Sequence, residues 1–338
     1  MKITKKNLLF ACLVIQSCSF SALAEETTYP LVIQNCGKEI IFNKQPERVV
    51  TVGQNSTEIM YLLGLGDKLA ATSLWFGPVQ EQYKEINKKV NVIDYNMPSF
   101  EGIIANKPDL IMNQFEWLIG PAGTVASYEQ FQELSVPVYT SPADCAKDNS
   151  DGGDGIRKKV MDINLVYQEI EDISKIFNVQ DKGKQVVATL KKRVSDAQQK
   201  VAHLKNKYSA VFWFSSADLE MDPWVAGKLG PSAFIANTLG VKNIIDSAEE
   251  WPAVGWETIA KSDPSIIFVG EMERRRFQAD DWRVKVDFLK KDPVTKLMSA
   301  VKDDNIYIMN VQGMNAGIRT IDGVEFVAES MIKSSQKK

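Results

Sequence analysis

Histidine is almost missing: His203 is the only one among 338 residues. It falls in a lysine-rich helical stretch, which argues against a Ser-His-Asp triad, a zinc HExxH motif and a histidine-rich metal site. No glycine-rich loop opens a helix after a strand, because "GLGD" at Gly64 closes a helix as a cap and turn. Walker and nucleophile-elbow motifs are absent as well. Beyond the first 24 residues no apolar run approaches the roughly 20 residues needed to cross a bilayer. There is no excess of basic charge either: the formal net charge is −3, which argues against a nucleic-acid partner. Catalysis would have to rest on scattered carboxylates, and nothing singles out a pair.

What is present begins with a leader. In "MKITKKNLLFACLVIQSCSFSALAEE", Lys2, Lys5 and Lys6 precede an apolar stretch, and Ala22-Leu23-Ala24 forms a small-x-small cleavage site. Residues 1–24 read as a secretory signal, the alternative being lipid attachment at Cys18. Removing it leaves 37 basic against 43 acidic residues, a net charge of −6. The remaining 314 residues exceed one comfortable core and suggest two domains. Only Cys36 and Cys145 survive cleavage. In an oxidising compartment an even pair reads as a disulfide, closing a loop of about 110 residues worth at most ~4–5 kcal/mol.

From Arg48 to about Thr140 the strands "RVVTV", "LAATS", "VNVID", "DLIMN" and "VPVYT" alternate with helical stretches. This means a mostly parallel sheet covered by helices. A Gly/Asp-rich loop from Asp148 to Gly155 interrupts the pattern. It lacks the ligand spacing of an EF-hand and reads as solvated. Ile156, Val160, Ile163, Val166, Tyr167, Ile170, Ile173 and Phe177 then recur at helical spacing, predicting one long helix over 156–178. A second, lysine-rich helix follows, and "AVFWFSS", "SIIFVG" and "IYIMN" resume the strand–helix alternation. No low-complexity segment or short repeat is apparent. The expected division is a first α/β lobe over 25–155, a linker helix over 156–178 and a second lobe over 179–338.

Ligands of open α/β sheets bind beyond the carboxyl ends of strands. Trp75 and Phe76 follow "LAATS", Phe115 and Trp117 follow "LIMN", and Arg274, Arg275 and Arg276 follow "SIIFVGE". These seven are the candidate ligand contacts. Each aromatic could equally fill the core, and for Trp213, inside a strand, core filling is the preferred reading. Glu58 stands near the start of the first helix, three residues after Asn55, and locally that spacing is a capping box.

The motifs "KQPERVVTVGQNSTEIMYLLGLGDKLAATS", "NKPDLIM", "AFIANTLGVKNII", "WPAVGWETIAKSDPSIIFVG" and "NAGIRTIDGVEFVAE" run in order over nearly the whole mature chain. They resemble the substrate-binding proteins of ABC importers for iron–siderophores, haem and cobalamin. The resemblance implies two α/β lobes joined by a single long helix. It also implies a periplasmic monomer that captures a metal chelate and delivers it to a permease and its ATPase, with no catalytic centre, resident cofactor or metal site. Outward-pointing glutamates dock such proteins on their permease, and Glu58 and Glu257 match the two positions. A ferric siderophore suits the arginine triplet, since guanidinium offers planar donors to carboxylate or catecholate oxygens. Haem or cobalamin is the alternative within the family. A carboxylate-dependent hydrolase and a ligand sensor are the alternatives outside it.

Overall fold

A computed structural model describes residues 26–150 and 154–337. The leader, its cleavage site and Cys18 lie outside the described residues. The chain opens with an antiparallel hairpin, β1 (Leu31–Asn35) and β2 (Lys38–Phe42). Cys36 and Gly37 turn it, both at positive φ, the conformation that two-residue hairpin turns demand. A fully parallel sheet follows. Its strands are β3 (Val49–Val52), β4 (Leu69–Ser73), β5 (Asn91–Val92), β6 (Leu110–Asn113) and β7 (Val138–Thr140), in the order β5-β4-β3-β6-β7. The helices are α1 (Gln54–Leu62), α2 (Lys84–Asn87), α3 (Phe100–Ile104), α4 (Tyr128–Glu133) and α5 (Pro142–Cys145). Central β3 is buried at every residue because helices cover both faces, so its apolar residues serve two cores in alternation. Val49 and Leu110 join the cluster with Ile59 and Met60, while Val50 and Ile111 join the one with Phe131. Cys36 and Cys145 form the expected disulfide, their Cα atoms 5.4 Å apart.

The linker departs from its expected form. Residues 156–163 are not helical: β8 (Lys147–Asp148) pairs with β9 (Ile156–Arg157), and helix α6 spans only Asn164–Ile176. Specific partners hold the stretch extended. Arg157 Nε meets Glu250 Oε2 at 2.9 Å, its Nη1 donates to the Ala143 carbonyl, and the Met161 amide donates to Leu229 O at 2.8 Å. Asp162 then accepts the Asn164 amide and starts the helix. The element that spans the two halves is the next one, α7 (Gln180–Lys200). Its Val186, Val187 and Leu190 enter the first lobe's core and its Ala197 the second's. At 1.5 Å per residue it is about 30 Å long.

The second sheet contains β10 (Tyr208–Ser215), β11 (Trp224–Val225), β12 (Val241–Asn243), β13 (Ile266–Glu271) and β14 (Ile306–Asn310). Around it lie α8 (Pro231–Leu239), α9 (Trp256–Ser262), α10 (Trp282–Lys291), α11 (Ser299–Lys302) and the terminal α12 (Arg319–Ser335). Strand β10 pairs in parallel with β12 on one side and β13 on the other, with β14 beyond. The run β12-β10-β13-β14 repeats β4-β3-β6-β7 of the first sheet. Two lobes of one topology are therefore set side by side, and the start of α12 packs into the first lobe's core through Ile318 and Ile321.

Candidate functional site

Between the lobes, beyond the carboxyl ends of β4, β6 and β13, lies a cavity of about 1020 Å³. Trp75, Tyr95 and Trp117 line it from the first lobe and Arg274, Arg275 and Arg276 from the second. Phe76 and Phe115 are not in its lining. Both are buried beneath it, in a chain of ring contacts that crosses from lobe to lobe. Trp117 meets Phe115 at 6.1 Å, Phe115 meets Phe76 at 6.4 Å, Phe76 meets Phe214 at 6.3 Å and Phe214 meets Trp251 at 4.5 Å. Trp213, as expected, is fully buried core. His203 is exposed, on a short 3₁₀ turn beyond α7.

The three arginines are not equivalent. Asp280 shapes their loop, accepting the amides of Arg276 and Phe277 at 2.7 and 2.9 Å and the Ser215 hydroxyl at 2.6 Å. Arg275 folds back to donate to Met272 O, and the Arg276 guanidinium sits 5.2 Å from the centre of its neighbour Phe277. Arg274 lies half-buried with its guanidinium 4.2 Å from the Phe76 ring centroid. Its Nε is buried without a hydrogen-bond partner. Desolvation pulls its pKa below the ordinary arginine value, with Asp280 opposing the shift and Arg276 adding to it.

Glu58 overturns two expectations. Helix α1 begins at Gln54 with Gly53 in the capping position and no side-chain cap, so there is no capping box. Nor does Glu58 point outward, for it is fully buried. Its carboxylate is forked by Arg319 of the second lobe, Nε to Oε2 at 2.8 Å and Nη2 to Oε1 at 2.5 Å. Burial still raises the Glu58 pKa, with the guanidinium opposing that rise. A glutamate in this position has no surface to offer a permease. Asn55 is likewise used between lobes, its Oδ1 accepting the Ile318 amide at 2.8 Å. The lobes approach so closely here that a Cβ on Gly317 would stand 2.3 Å from that oxygen.

Glu257 is exposed, in the first turn of α9. Its topological counterpart in the first lobe is Glu101, exposed in the first turn of α3. Helix α3 leads into β6 as α9 leads into β13, the strands flanking β3 and β10 respectively. The segments run in parallel, "FEGIIANKPDLIM" beside "WETIAKSDPSIIF". That aromatic-Glu-x-Ile…Pro correspondence was the signal available in the sequence, and it was obscured by divergence and distance along the chain. Among the described residues, the Cys/Asp/Glu/His set close enough to hold a metal ion is Cys36, Glu116 and Cys145. Its two sulfurs are joined in the disulfide.

Comparison with known proteins places this geometry among relatives. The profile of the periplasmic binding protein family matches residues 49–312. An ABC transporter substrate-binding lipoprotein of Bacillus subtilis strain 168 is 25% identical over 98% of this chain and 97% of its own length. A vitamin B12-binding protein of Vibrio parahaemolyticus is 28% identical over 76% of this chain and 83% of its own. In fold, the chain is similar to a crystal structure from an ABC-type Fe3+-hydroxamate transport system of Saccharomonospora viridis. That likeness has a TM-score of 0.69 at 21% identity and covers 90% of this chain and 99% of the other.

Proposed function

The chain belongs to the periplasmic binding protein family of ABC importers, and from that premise we propose that it captures an anionic metal chelate of the ferric siderophore class. It works as an exported periplasmic monomer, released from its leader after Ala24, and carries its ligand without transforming it. The observation that carries the ligand reading is Arg274, a half-buried guanidinium with an unpartnered Nε, stacked on Phe76 at the wall of the cavity. A carboxylate or catecholate oxygen supplies the charge-assisted bond that this cation lacks within the protein. Trp75 and Trp117 give the flat apolar contact opposite. Delivery to the permease uses the exposed pair Glu101 and Glu257, one at the start of the equivalent helix of each lobe.

A second reading, haem, is favoured by Tyr95. This residue is 62% exposed and lines the cavity, where a phenolate could ligate iron while arginines pair with carboxylates. Tryptophan fluorescence separates the two. The protein is titrated with a ferric tris-catecholate, ferric citrate, haemin and cyanocobalamin. Strong quenching by the ferric chelates, shifted to higher concentration in R274A, is the expected result. Saturable binding of haemin alone, abolished in Y95F, would replace this reading with the second.

A further inference from the structure

Behind the ligand wall runs a polar network that Glu58 and Arg319 anchor. Gln54 is its hub. Its Oε1 accepts the amides of Phe76 and Gly77, both at 3.2 Å, and the side-chain amide of Gln312 from the second lobe at 2.9 Å. Its Nε2 donates to Glu58 Oε1 at 3.1 Å and to the Pro78 carbonyl at 3.3 Å. That same carbonyl accepts from Arg319 Nη2 at 3.0 Å. On its far side Arg319 faces Asp322, whose carboxylate takes Arg193 of α7 at 2.7 Å and the Gln80 side chain at 3.3 Å. Hydrogen bonds thus join both lobes and the backbone of residues 76–78, and the 4.0 Å Arg319–Asp322 ion pair extends the network to the connecting helix. Trp75, Gly77, Pro78 and Val79 all line the cavity, whereas Gln54, Glu58 and Arg319 do not.

We propose that the Glu58–Arg319 fork is a positioning device for ligand capture: through Gln54 and the Pro78 carbonyl it holds the Trp75–Val79 wall against the arginine loop of the second lobe. Ligand grip then depends on two charged residues that no ligand touches. Apolar residues of similar volume can hold two surfaces together as firmly as a buried ion pair, because the pair must first offset its own desolvation. What apolar packing cannot supply is register. The guanidinium fork fits one carboxylate orientation, and the same Nη2 also reaches the Pro78 carbonyl. The wall also touches the second lobe directly, the Phe76 carbonyl accepting the Glu273 amide at 2.9 Å beside the arginines. A shift of residues 76–78 would therefore displace Trp75 and the ring under Arg274 together.

This inference rests on the cavity being the ligand site, and its test is chosen to separate the two. E58Q and the double variant E58L/R319M are compared with the unmodified protein in thermal unfolding, in amide hydrogen exchange at Phe76 and Gly77, and in the fluorescence titration with the ferric tris-catecholate, ferric citrate, haemin and cyanocobalamin. E58Q should speed exchange at both amides. It should weaken the bound probe roughly tenfold, by cutting the fraction of molecules with a competent wall, mostly through slower apparent association. E58L/R319M should recover the unfolding midpoint but neither the affinity nor the slow exchange. Recovery of all three would reduce the fork to ordinary stabilisation and overturn the proposal, as would unchanged affinity in E58Q alongside faster exchange. Should E58Q fail to fold, the double variant alone decides. If no probe binds the unmodified protein, the ligand reading falls, and exchange at Phe76 and Gly77 still reports whether the fork fixes the wall.

Discussion

The two lobes arrange their strands in one order yet furnish the cleft with opposite chemistry. The first contributes the rings, with Lys84 its one charge there, and the second contributes three arginines beside Glu273, from positions beyond strand ends. Topology fixes where a loop emerges; the loop's own residues decide what it offers. The difference reaches the interior too. In the first lobe's core Glu169 of α6 is buried, and burial pushes its carboxyl up to about 7. In the second Lys285 of α10 is buried, and burial pulls its ammonium down to about 7. Each lobe therefore hides one group at the edge of ionisation, of opposite sign.

The sharpest way to break the asymmetry of the cleft is to discharge one side of it. R274A should weaken an anionic ferric chelate by about 10- to 100-fold, the loss of one hydrogen bond to a charged partner. R275A, whose guanidinium turns back on its own loop, should change affinity less than threefold. Equal losses in both, measured by tryptophan quenching, would return the triplet to undivided surface charge. Where the lobes are alike rather than different, the change must be made twice. E101A/E257A should spare ligand affinity while lowering uptake and ligand-stimulated ATPase activity several-fold, since interfacial charges steer encounter and fix orientation. Each single change should do less. A fall in affinity with normal uptake at saturation would move both glutamates into the cleft.

On the apolar side, W117A should weaken charged and neutral chelates alike by roughly 3- to 10-fold, the worth of one aromatic contact. The smallest effect concerns the interior. Between pH 4.5 and about 7 folded Glu169 keeps a proton that the unfolded chain has lost, so stability falls as pH rises through that window. E169Q removes the penalty and should raise the unfolding midpoint by roughly 2–4 °C at pH 8, with no gain at pH 4. Lys285 acts with the reverse sign: its contribution is present above the ordinary lysine range and is lost as pH falls through about 7.

Much of this was legible in the chain. Strands such as Val49–Val52 and Ile266–Glu271 are short β-branched runs bounded by helices, and that pattern belongs to buried parallel strands. Trp75, Trp117 and the three arginines stand just past such strands and line the cavity; Tyr95 stands just past one as well, after "VNVID", and is not among the residues expected there. Helix α10 escaped notice for a physical reason: "WRVKVDF" alternates apolar and charged residues as a strand would, and Lys285 is buried in it by donating to the carbonyls of Phe214 and Gly270. The helix expected from Ile156 failed because Arg157 finds Glu250 ninety-three positions on, a pairing no local periodicity records. Glu58 failed in the same way, since its partner Arg319 lies 261 residues away. Glutamates in the first two turns of a helix look alike in sequence. What stands opposite decides whether one is exposed, as in α3 and α9, or enclosed, as in α1.

The Cys36–Cys145 link turns the strands of the first sheet into a closed covalent circuit, since all of β2 to β7 lies between its two sulfurs. A single cut by a protease anywhere between those residues opens the circuit without releasing a fragment. The nicked chain would keep its mass until a reductant is added, and the severed strands would stay neighbours. The second lobe has no such closure among the described residues, so one cut there splits the polypeptide in two.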